Sequence, residues 1–128
     1  MALANNDKTV TFWHRNPETI KSLRNTRKHY LVPALVFPES VSFTSSIEEA
    51  IIGASTVIIA IPSQSIRSIL ESNKNIFSEN QTIVNVSKGI EIDTLMTISE
   101  VIIDVLGNSF TEVVTLSGPS HAEEVIQR

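Results

Sequence analysis

Apolar positions fall into short runs that alternate with longer amphipathic stretches. The short runs are rich in β-branched residues, as strands are, and they cover residues 10–13, 41–43, 56–61, 82–86 and 113–116. The stretches carry apolar residues three or four positions apart, which indicates helices, over residues 17–29, 47–54, 63–72 and 97–106. Strands that alternate with helices predict an α/β fold with an open, mostly parallel sheet and helices on both faces. The run 56–61 is apolar without alternation, which predicts a strand covered on both faces.

The ends of several elements can also be predicted. Asn16 is suited to cap the first helix, and Ser46 followed by Glu49 matches a capping box. Gly107 is expected to end the helix before it. Residues 30–38 contain two prolines, so we expect this segment to be irregular.

Composition narrows the function classes. The chain has 128 residues, enough for one domain, and no Pro/Gly/Ser-rich linker divides it. A net charge of −4 gives no reason to expect a nucleic-acid partner. The absence of cysteine excludes disulfides, thiolate metal sites and a cysteine nucleophile, and it fits a cytoplasmic protein. The apolar runs are too short to cross a bilayer, so no membrane span is expected.

Polar residues follow each long strand run, and ligands of open parallel sheets bind beyond the carboxyl ends of their strands. His14 and Arg15 follow the first run, with no acidic residue before Glu18. A basic residue at this place accommodates the 2′-phosphate of NADP, whereas an acidic one binds the 2′-hydroxyl of NAD. Arg15 is therefore a candidate forked donor to a phosphate. The alternative is an arginine that only faces solvent.

Two further strand ends carry candidate site residues. Pro62, in the turn with Ser63 and Gln64, would let the backbone bend sharply over a ligand, or simply stop the strand. Lys88 lies beside Gly89, where the backbone can come close to a ligand. This lysine is suited to bind an anionic substrate or to polarise a carbonyl. The alternative is a turn with a solvated lysine.

The last strand run ends at another candidate. Gly118 permits close backbone approach, and Ser120 is placed to cap a helix that begins near His121. Free amides at such a helix start can hold an anion; the alternative is a capped loop. A histidine beside a cap is more often incidental than a general base. Four polar strand ends in register with one parallel sheet favour a ligand site over coincidence.

Six segments also occur in a characteristic order, namely WHRNP at 13–17, YLVP at 30–33, PE at 38–39, AIPSQ at 60–64, SKGIE at 87–91 and LSGPSHAEEV at 116–125. That order resembles the bacterial NAD(P)-dependent glycerol-3-phosphate dehydrogenases. The resemblance covers nearly the whole chain, from Ala2 to Arg128, and its last two segments are quite specific for this family.

The resemblance implies a reaction and a site. The reaction would be reversible hydride transfer between NADPH or NADH, with NADPH favoured, and dihydroxyacetone phosphate, giving sn-glycerol 3-phosphate for phospholipid synthesis. The implied cofactor contacts are His14, Arg15, Tyr30, Pro62, Lys88 and Ala122. The implied substrate contacts are Lys88, Gly118 and Ser120, with Lys88 also a catalytic candidate. No metal is implied, and a homo-oligomer is left open.

Two departures from the family pattern limit this expectation. No G-x-G-x-x-G loop is present, because the glycines are Gly53, Gly89, Gly107 and Gly118. The family's helical substrate domain, with its proton-transferring lysine, also has no counterpart in residues 1–128. We therefore expect an incomplete Rossmann-like, doubly wound sheet: a partial NAD(P)-binding domain that is inactive alone. A missing central strand would leave a gap or an exposed edge, unless strands 10–13 and 56–61 pair directly.

Other functions remain open at this point. A related dehydrogenase acting on a 3-hydroxy acid or on ketopantoate would share the fold, but the segment 117–125 argues against it. A non-catalytic remnant of a dehydrogenase is another alternative. A signalling module with a flavodoxin-like sheet would need an acidic pocket at the strand ends, and the sequence shows none there.

Overall fold

A computed structural model describes residue 4 and residues 8–29, 31–107 and 112–118. Its strands are β1 (Val10–Trp13), β2 (Lys28–His29), β3 (Val32–Val36), β4 (Val41–Thr44), β5 (Thr56–Ile59), β6 (Thr82–Asn85) and β7 (Val113–Thr115). Its α-helices are α1 (Pro17–Thr26), α2 (Ile47–Ile51), α3 (Ile66–Asn73) and α4 (Ile98–Leu106), with 3₁₀ turns at Ser63–Ser65 and Lys74–Ile76. The described residues up to Ala50 form one compact unit, and those from Ile51 onward form another.

The first unit is built on a parallel pair of strands. β1 pairs with β4 in a register that places Val10 opposite Val41, and α1 packs against β4. Ile20 and Leu23, three residues apart on α1, are 3% and 2% exposed, so the predicted helical face is the buried one. Phe43 of β4 joins the same core. The strand–helix alternation predicted for this segment is confirmed.

Both ends of α1 are satisfied by local contacts. The side-chain oxygen of Asn16 accepts the backbone N–H of Glu18 at 2.9 Å, which confirms the predicted cap. At the other end Arg27 adopts a left-handed conformation, with φ 54°. Its guanidinium donates to the carbonyl oxygens of Pro38 and Val41 and lies over the ring of Phe43.

The prediction that residues 30–38 are irregular is wrong. β3 (Val32–Val36) runs antiparallel to β2, with a register shift at Lys28 and His29. Phe37 extends the contact, because its N–H donates to the carbonyl of Arg27 at 2.7 Å. A proline is tolerated in a strand of a two-stranded ribbon, where it forfeits one donor. The apolar, β-branched residues of the segment therefore outweigh Pro33.

The second unit is a three-stranded parallel sheet with helices. β6 lies between β5 and β7, and all pairs are parallel. Ile83 of β6 is fully buried and packs in one cluster with residues of α3 and α4. Ile66 and Leu70 of α3 are buried in that cluster, as are Ile98, Val101, Ile102 and Val105 of α4.

Coverage of β5 on both faces is not observed. Ile59 is buried, but Ile58 is 44% exposed, and Val114 of the neighbouring β7 is 49% exposed. Neighbouring residues of a strand point to opposite faces, so one face of this sheet is open among the described residues. A continuous apolar run made both faces suitable for burial, and α3 and α4 pack on the face that carries Ile59 and Ile83.

The two parallel sheets are separate ladders in the described residues. β1 pairs with β4, and β5 pairs with β6. Direct pairing of β1 with β5, which would close a sheet over a missing strand, does not occur there. The α/β fold class is confirmed by the parallel sheets and their helices.

The start of α2 has the predicted Ser46 cap but differs from the predicted capping box in the partner of the Glu49 carboxylate. Glu49 donates its N–H to the hydroxyl of Ser46 at 3.2 Å, which is half of the predicted capping box. Its carboxylate accepts from Thr44 instead, and the Thr44 hydroxyl accepts the N–H of Ser46. The Thr44 hydroxyl thus bridges the Ser46 N–H and the Glu49 carboxylate, which bond directly in a complete capping box.

Candidate active site at the strand ends

Three predicted site residues lie at the same edge of the second unit. The register aligns Ile59 with Asn85 and Asn85 with Thr115, so the three parallel strands end side by side. Pro62, Lys88 and Gly118 follow these ends, and all three are exposed. The structure therefore places them where ligands of parallel sheets bind.

Hydrogen bonds of Ser87, the residue before Lys88, hold the backbone of the turn after β6. The buried side chain of Asn85 accepts the N–H of Ser87 at 2.9 Å. The Ser87 hydroxyl donates to the carbonyls of Ile59 and Ile61, at 3.2 and 2.8 Å. Ser87 thereby ties the end of β6 to the end of β5, and Lys88 leaves the sheet from a fixed point.

Gly89 is required by backbone conformation rather than by lack of space. Its φ is +105°, and a Cβ built there would lie 3.5 Å from the Oγ of Ser63, an ordinary contact. Residues with a side chain rarely adopt such a φ. The backbone after Lys88 therefore turns in a way that glycine alone adopts without strain.

Arg67 and Glu91 form a charged cluster behind this turn that the sequence did not reveal. The guanidinium of Arg67 on α3 donates to both carboxylate oxygens of Glu91, at 2.9 to 3.1 Å, and to Asp104 of α4 at 2.6 Å. Hydrogen bonds from Arg67, and then from Thr94, hold the pKa of the Glu91 carboxyl below its ordinary value, and those carboxylates raise the pKa of Arg67.

His14 and Arg15 lie in the first unit, directly after β1. The N–H of His14 donates to the carbonyl of Thr44 at 3.2 Å, and its Nδ1 accepts the N–H of Asn16 at 3.1 Å. The ring is thus held against the backbone by its Nδ1. Arg15 is exposed.

Tyr30, Ser120 and Ala122 lie outside the described residues, as does the helix expected near His121.

Two surface concavities lie away from the strand ends. One, of about 420 Å³, is lined by Glu100, Ile103, Asp104 and Gly107; the other, of about 280 Å³, is lined by residues of α1 and Lys28. Neither is lined by Pro62, Lys88 or Gly118.

Two classes of site find no support in the described part of the chain. No group of three His, Asp or Glu side chains is arranged there to hold a metal ion. No helix of that part has the length and apolar character needed to cross a membrane.

Comparison with known families gives one match over the entire chain. The sequence profile described as "NAD-dependent glycerol-3-phosphate dehydrogenase N-terminus" matches residues 1–128. The segments that carry the sequence resemblance therefore lie within the matched range.

Curated relatives carry the same name. The chain is 38% identical over 124 residues to the glycerol-3-phosphate dehydrogenase [NAD(P)+] of Fusobacterium nucleatum, covering 96% of this chain and 37% of the relative. It is 41% identical over 125 residues to the protein of that name from Chlamydia pneumoniae, covering 97% of this chain and 37% of the relative. The chain thus spans somewhat more than a third of the length of these relatives.

Solved structures show the same fold. A glycerol-3-phosphate dehydrogenase from Coxiella burnetii superposes with a TM-score of 0.85 at 22% identity, covering 98% of this chain and 38% of that one. A structure of the Dunaliella salina protein DsGPDH superposes with a TM-score of 0.81 at 22% identity, over 94% of this chain and 22% of that one. At this identity the likeness establishes the fold.

Proposed function

Because the chain belongs to the NAD-dependent glycerol-3-phosphate dehydrogenase N-terminal family, we propose that it supplies part of the cofactor and substrate site of such an enzyme. The enzyme interconverts sn-glycerol 3-phosphate and dihydroxyacetone phosphate with NADP(H) or NAD(H). The observation that carries the proposal is the fixed, exposed position of Lys88 among three aligned strand ends.

Lys88 is the catalytic candidate of this chain. Its ammonium is a compact charge with three donors, suited to bind the substrate phosphate and to stabilise charge that develops on the reacting oxygen. Gly118, at the adjacent strand end, allows the backbone to approach the same ligand. Ser120 is proposed as a further substrate contact. The nicotinamide supplies or accepts the hydride.

The adenosine end of the cofactor is assigned to His14 and Arg15. Arg15 presents a planar fork that matches a phosphate, which favours NADPH, while the His14 ring is held by its bond to Asn16. Tyr30, Pro62 and Ala122 are proposed as further cofactor contacts. The small-molecule substrate is the proposed partner, and a cytoplasmic location and a homo-oligomer stay predictions.

Residues 1–128 are proposed to be a partial cofactor domain, unable to catalyse the reaction alone. The sequence contains no G-x-G-x-x-G, the loop whose amides would hold the pyrophosphate. No observation on the described residues favours a second function over this one.

A chimaera tests the proposal directly. In it, residues 1–128 replace the matching segment of the Fusobacterium nucleatum relative, which supplies the rest of its own chain. We expect NADPH oxidation with dihydroxyacetone phosphate, and little turnover with ketopantoate or a 3-oxo acid. A folded chimaera that prefers either of the latter substrates would contradict the substrate assignment, and the unmodified relative is the matched control.

A further inference from the structure

The segment that follows Lys88 is tied at two places to the chain that leaves β5. The first tie is the side chain of Gln64. Its amide nitrogen donates to the carbonyl of Ile90 at 2.8 Å, and its amide oxygen accepts the N–H of Ile92 at 3.0 Å. One side-chain amide thus bonds the backbone on both sides of Glu91, as a neighbouring strand would.

The second tie is the ion pair between Arg67 and Glu91. Glu91 lies between the two residues that Gln64 bonds, and its side chain is only 10% exposed. Arg67 meets both carboxylate oxygens, and such forked pairs fix geometry as well as charge. The hydroxyl of Thr94 donates to the same carboxylate. Because Arg67 also donates to Asp104 of α4, the segment is anchored to the helical layer of this unit.

These ties act just beyond the turn at Lys88 and Gly89. Ser87 fixes the chain before Lys88, but the residue after it is Gly89, at a positive φ. Glycine loses more conformational freedom on ordering than any other residue, so a turn that passes through it needs restraint from beyond. Gln64 and Glu91 supply that restraint one to three residues later.

We propose that Gln64 and Arg67 are positioning residues for Lys88. They act through the backbone of residues 90–92 rather than by contact with a ligand. The consequence for catalysis rests on the function proposed above, but the ordering of Lys88 does not. Arg67 lies three residues after Gln64, so both ties come from the same short stretch of chain after β5.

Backbone order in the 128-residue chain tests this inference without any ligand. The amide order parameter of Lys88, measured by ¹⁵N relaxation, should lie near the rigid value of about 0.85. Gln64→Ala and Arg67→Met should each lower it, and the double variant should bring it below about 0.6. Amides of α4 should keep their values in all variants. Lys74→Met and Asn75→Ala, at exposed positions, are the charge-matched and amide-matched controls and should change nothing.

Arg67→Lys separates geometry from charge. Lysine keeps the positive charge but lacks the forked donors of arginine. The amide order parameter of Lys88 in Arg67→Lys should therefore stay below that of the native chain. Native order parameters at Lys88 in the double variant would overturn the proposal, even if the melting temperature falls, because the ties would then be only structural. Restored order in Arg67→Lys would overturn the role of the fork.

The catalytic consequence has its own readout. In the chimaera, Gln64→Ala and Arg67→Met should lower kcat for dihydroxyacetone phosphate about tenfold or more, as misplaced catalytic groups do, while Lys74→Met should not. A chimaera inactive with native residues would contradict the proposed function, and the order parameters would still decide whether the two residues position Lys88.

Discussion

At the scale of single residues, His29 lies in an environment that favours its neutral form. Partial burial in the hairpin, and then the nearby His14, lower the pKa of its imidazole. Its Nδ1 accepts the N–H of Leu31 at 3.3 Å, and its ring lies near that of Phe37. The folded chain therefore binds a proton at His29 less readily than the unfolded chain does.

Acid should destabilise the chain through this residue. Because the folded pKa lies below the unfolded value of 6.5, the contribution of His29 to stability is present above pH 6.5 and is lost as the pH falls through the folded pKa. His29→Asn keeps an acceptor near the position of Nδ1 and cannot titrate. The free energy of unfolding, measured by denaturant at about pH 7 and about pH 5, should fall less in this variant than in the native chain. Equal falls would contradict the assignment.

Arg15 should determine the choice of cofactor. A good arginine–phosphate contact contributes about 1.5–3 kcal/mol. In the chimaera, Arg15→Asp should therefore lower the ratio of kcat/KM for NADPH to that for NADH by about 10- to 150-fold. Lys21→Asp, which makes the same charge change at an exposed position of α1, is the control. An unchanged ratio in Arg15→Asp would refute the NADPH contact.

Some of these residues could be predicted from sequence and others could not. Lys88 and Gly118 follow strands whose apolar pattern is local, so their place at the sheet edge can be predicted from the order of the elements. Arg67 and Glu91 lie 24 residues apart and meet only when α3 packs beside the segment after β6. No spacing along the chain encodes that contact.

At the scale of elements, α4 begins with a complete capping box. The N–H of Glu100 donates to the hydroxyl of Thr97 at 3.4 Å, and the N–H of Thr97 donates to the carboxylate of Glu100 at 2.7 Å. The N–H of Thr97 and then its hydroxyl, at 2.8 Å, donate to the Glu100 carboxylate and lower the pKa of that carboxyl. Two backbone donors that have no partner within the helix are thereby satisfied.

Removing this cap should destabilise the second unit. Thr97→Ala should lower the free energy of unfolding by about 1 kcal/mol, since α4 carries much of the buried cluster of this unit. Ser72→Ala, at an exposed position of α3, is the control and should change stability by less than about 0.5 kcal/mol. A change in Thr97→Ala no larger than that of the control would show that the box adds no stability.

The errors at this scale have physical causes. The two prolines at 30–38 favour irregular backbone, but a strand of a two-stranded ribbon can lose a donor to proline and its β-branched residues form β3. The run 56–61 was apolar on both sides, but an apolar sequence specifies which residues are suited to burial and not which face receives a helix. By contrast, caps at Asn16 and Ser46 depend on neighbours within a few residues and were predicted correctly in kind.

At the scale of the whole molecule, strand–helix alternation was sufficient to predict the fold class. The same pattern predicts a ligand site beyond the strand ends, where the proposed function assigns Lys88. Residues 1–128 contain no glycine-rich loop for the pyrophosphate. We therefore expect this stretch of chain to bind the cofactor only weakly by itself.

The 128-residue chain alone should show no appreciable turnover. The family resemblance implies that the proton-transferring lysine is not among residues 1–128, and loss of a general acid should lower the rate by about 10²–10⁴-fold. Without the glycine-rich loop NADPH should bind weakly. NADPH absorbance in the presence of dihydroxyacetone phosphate measures the first quantity, and calorimetric titration with NADPH measures the second. Turnover at the rate of the unmodified Fusobacterium nucleatum relative, or micromolar NADPH binding by a monomer, would contradict this expectation.

Substitution of Lys88 in the chimaera tests the central claim most directly. If Lys88 contacts the substrate and stabilises charge in the transition state, Lys88→Met should lower kcat/KM for dihydroxyacetone phosphate by about 10²-fold or more. Lys74→Met, which removes an exposed lysine from the 3₁₀ turn after α3, should leave it unchanged. A Lys88→Met chimaera that is folded and as active as the Lys74→Met control would contradict the assignment of the strand ends as the active site.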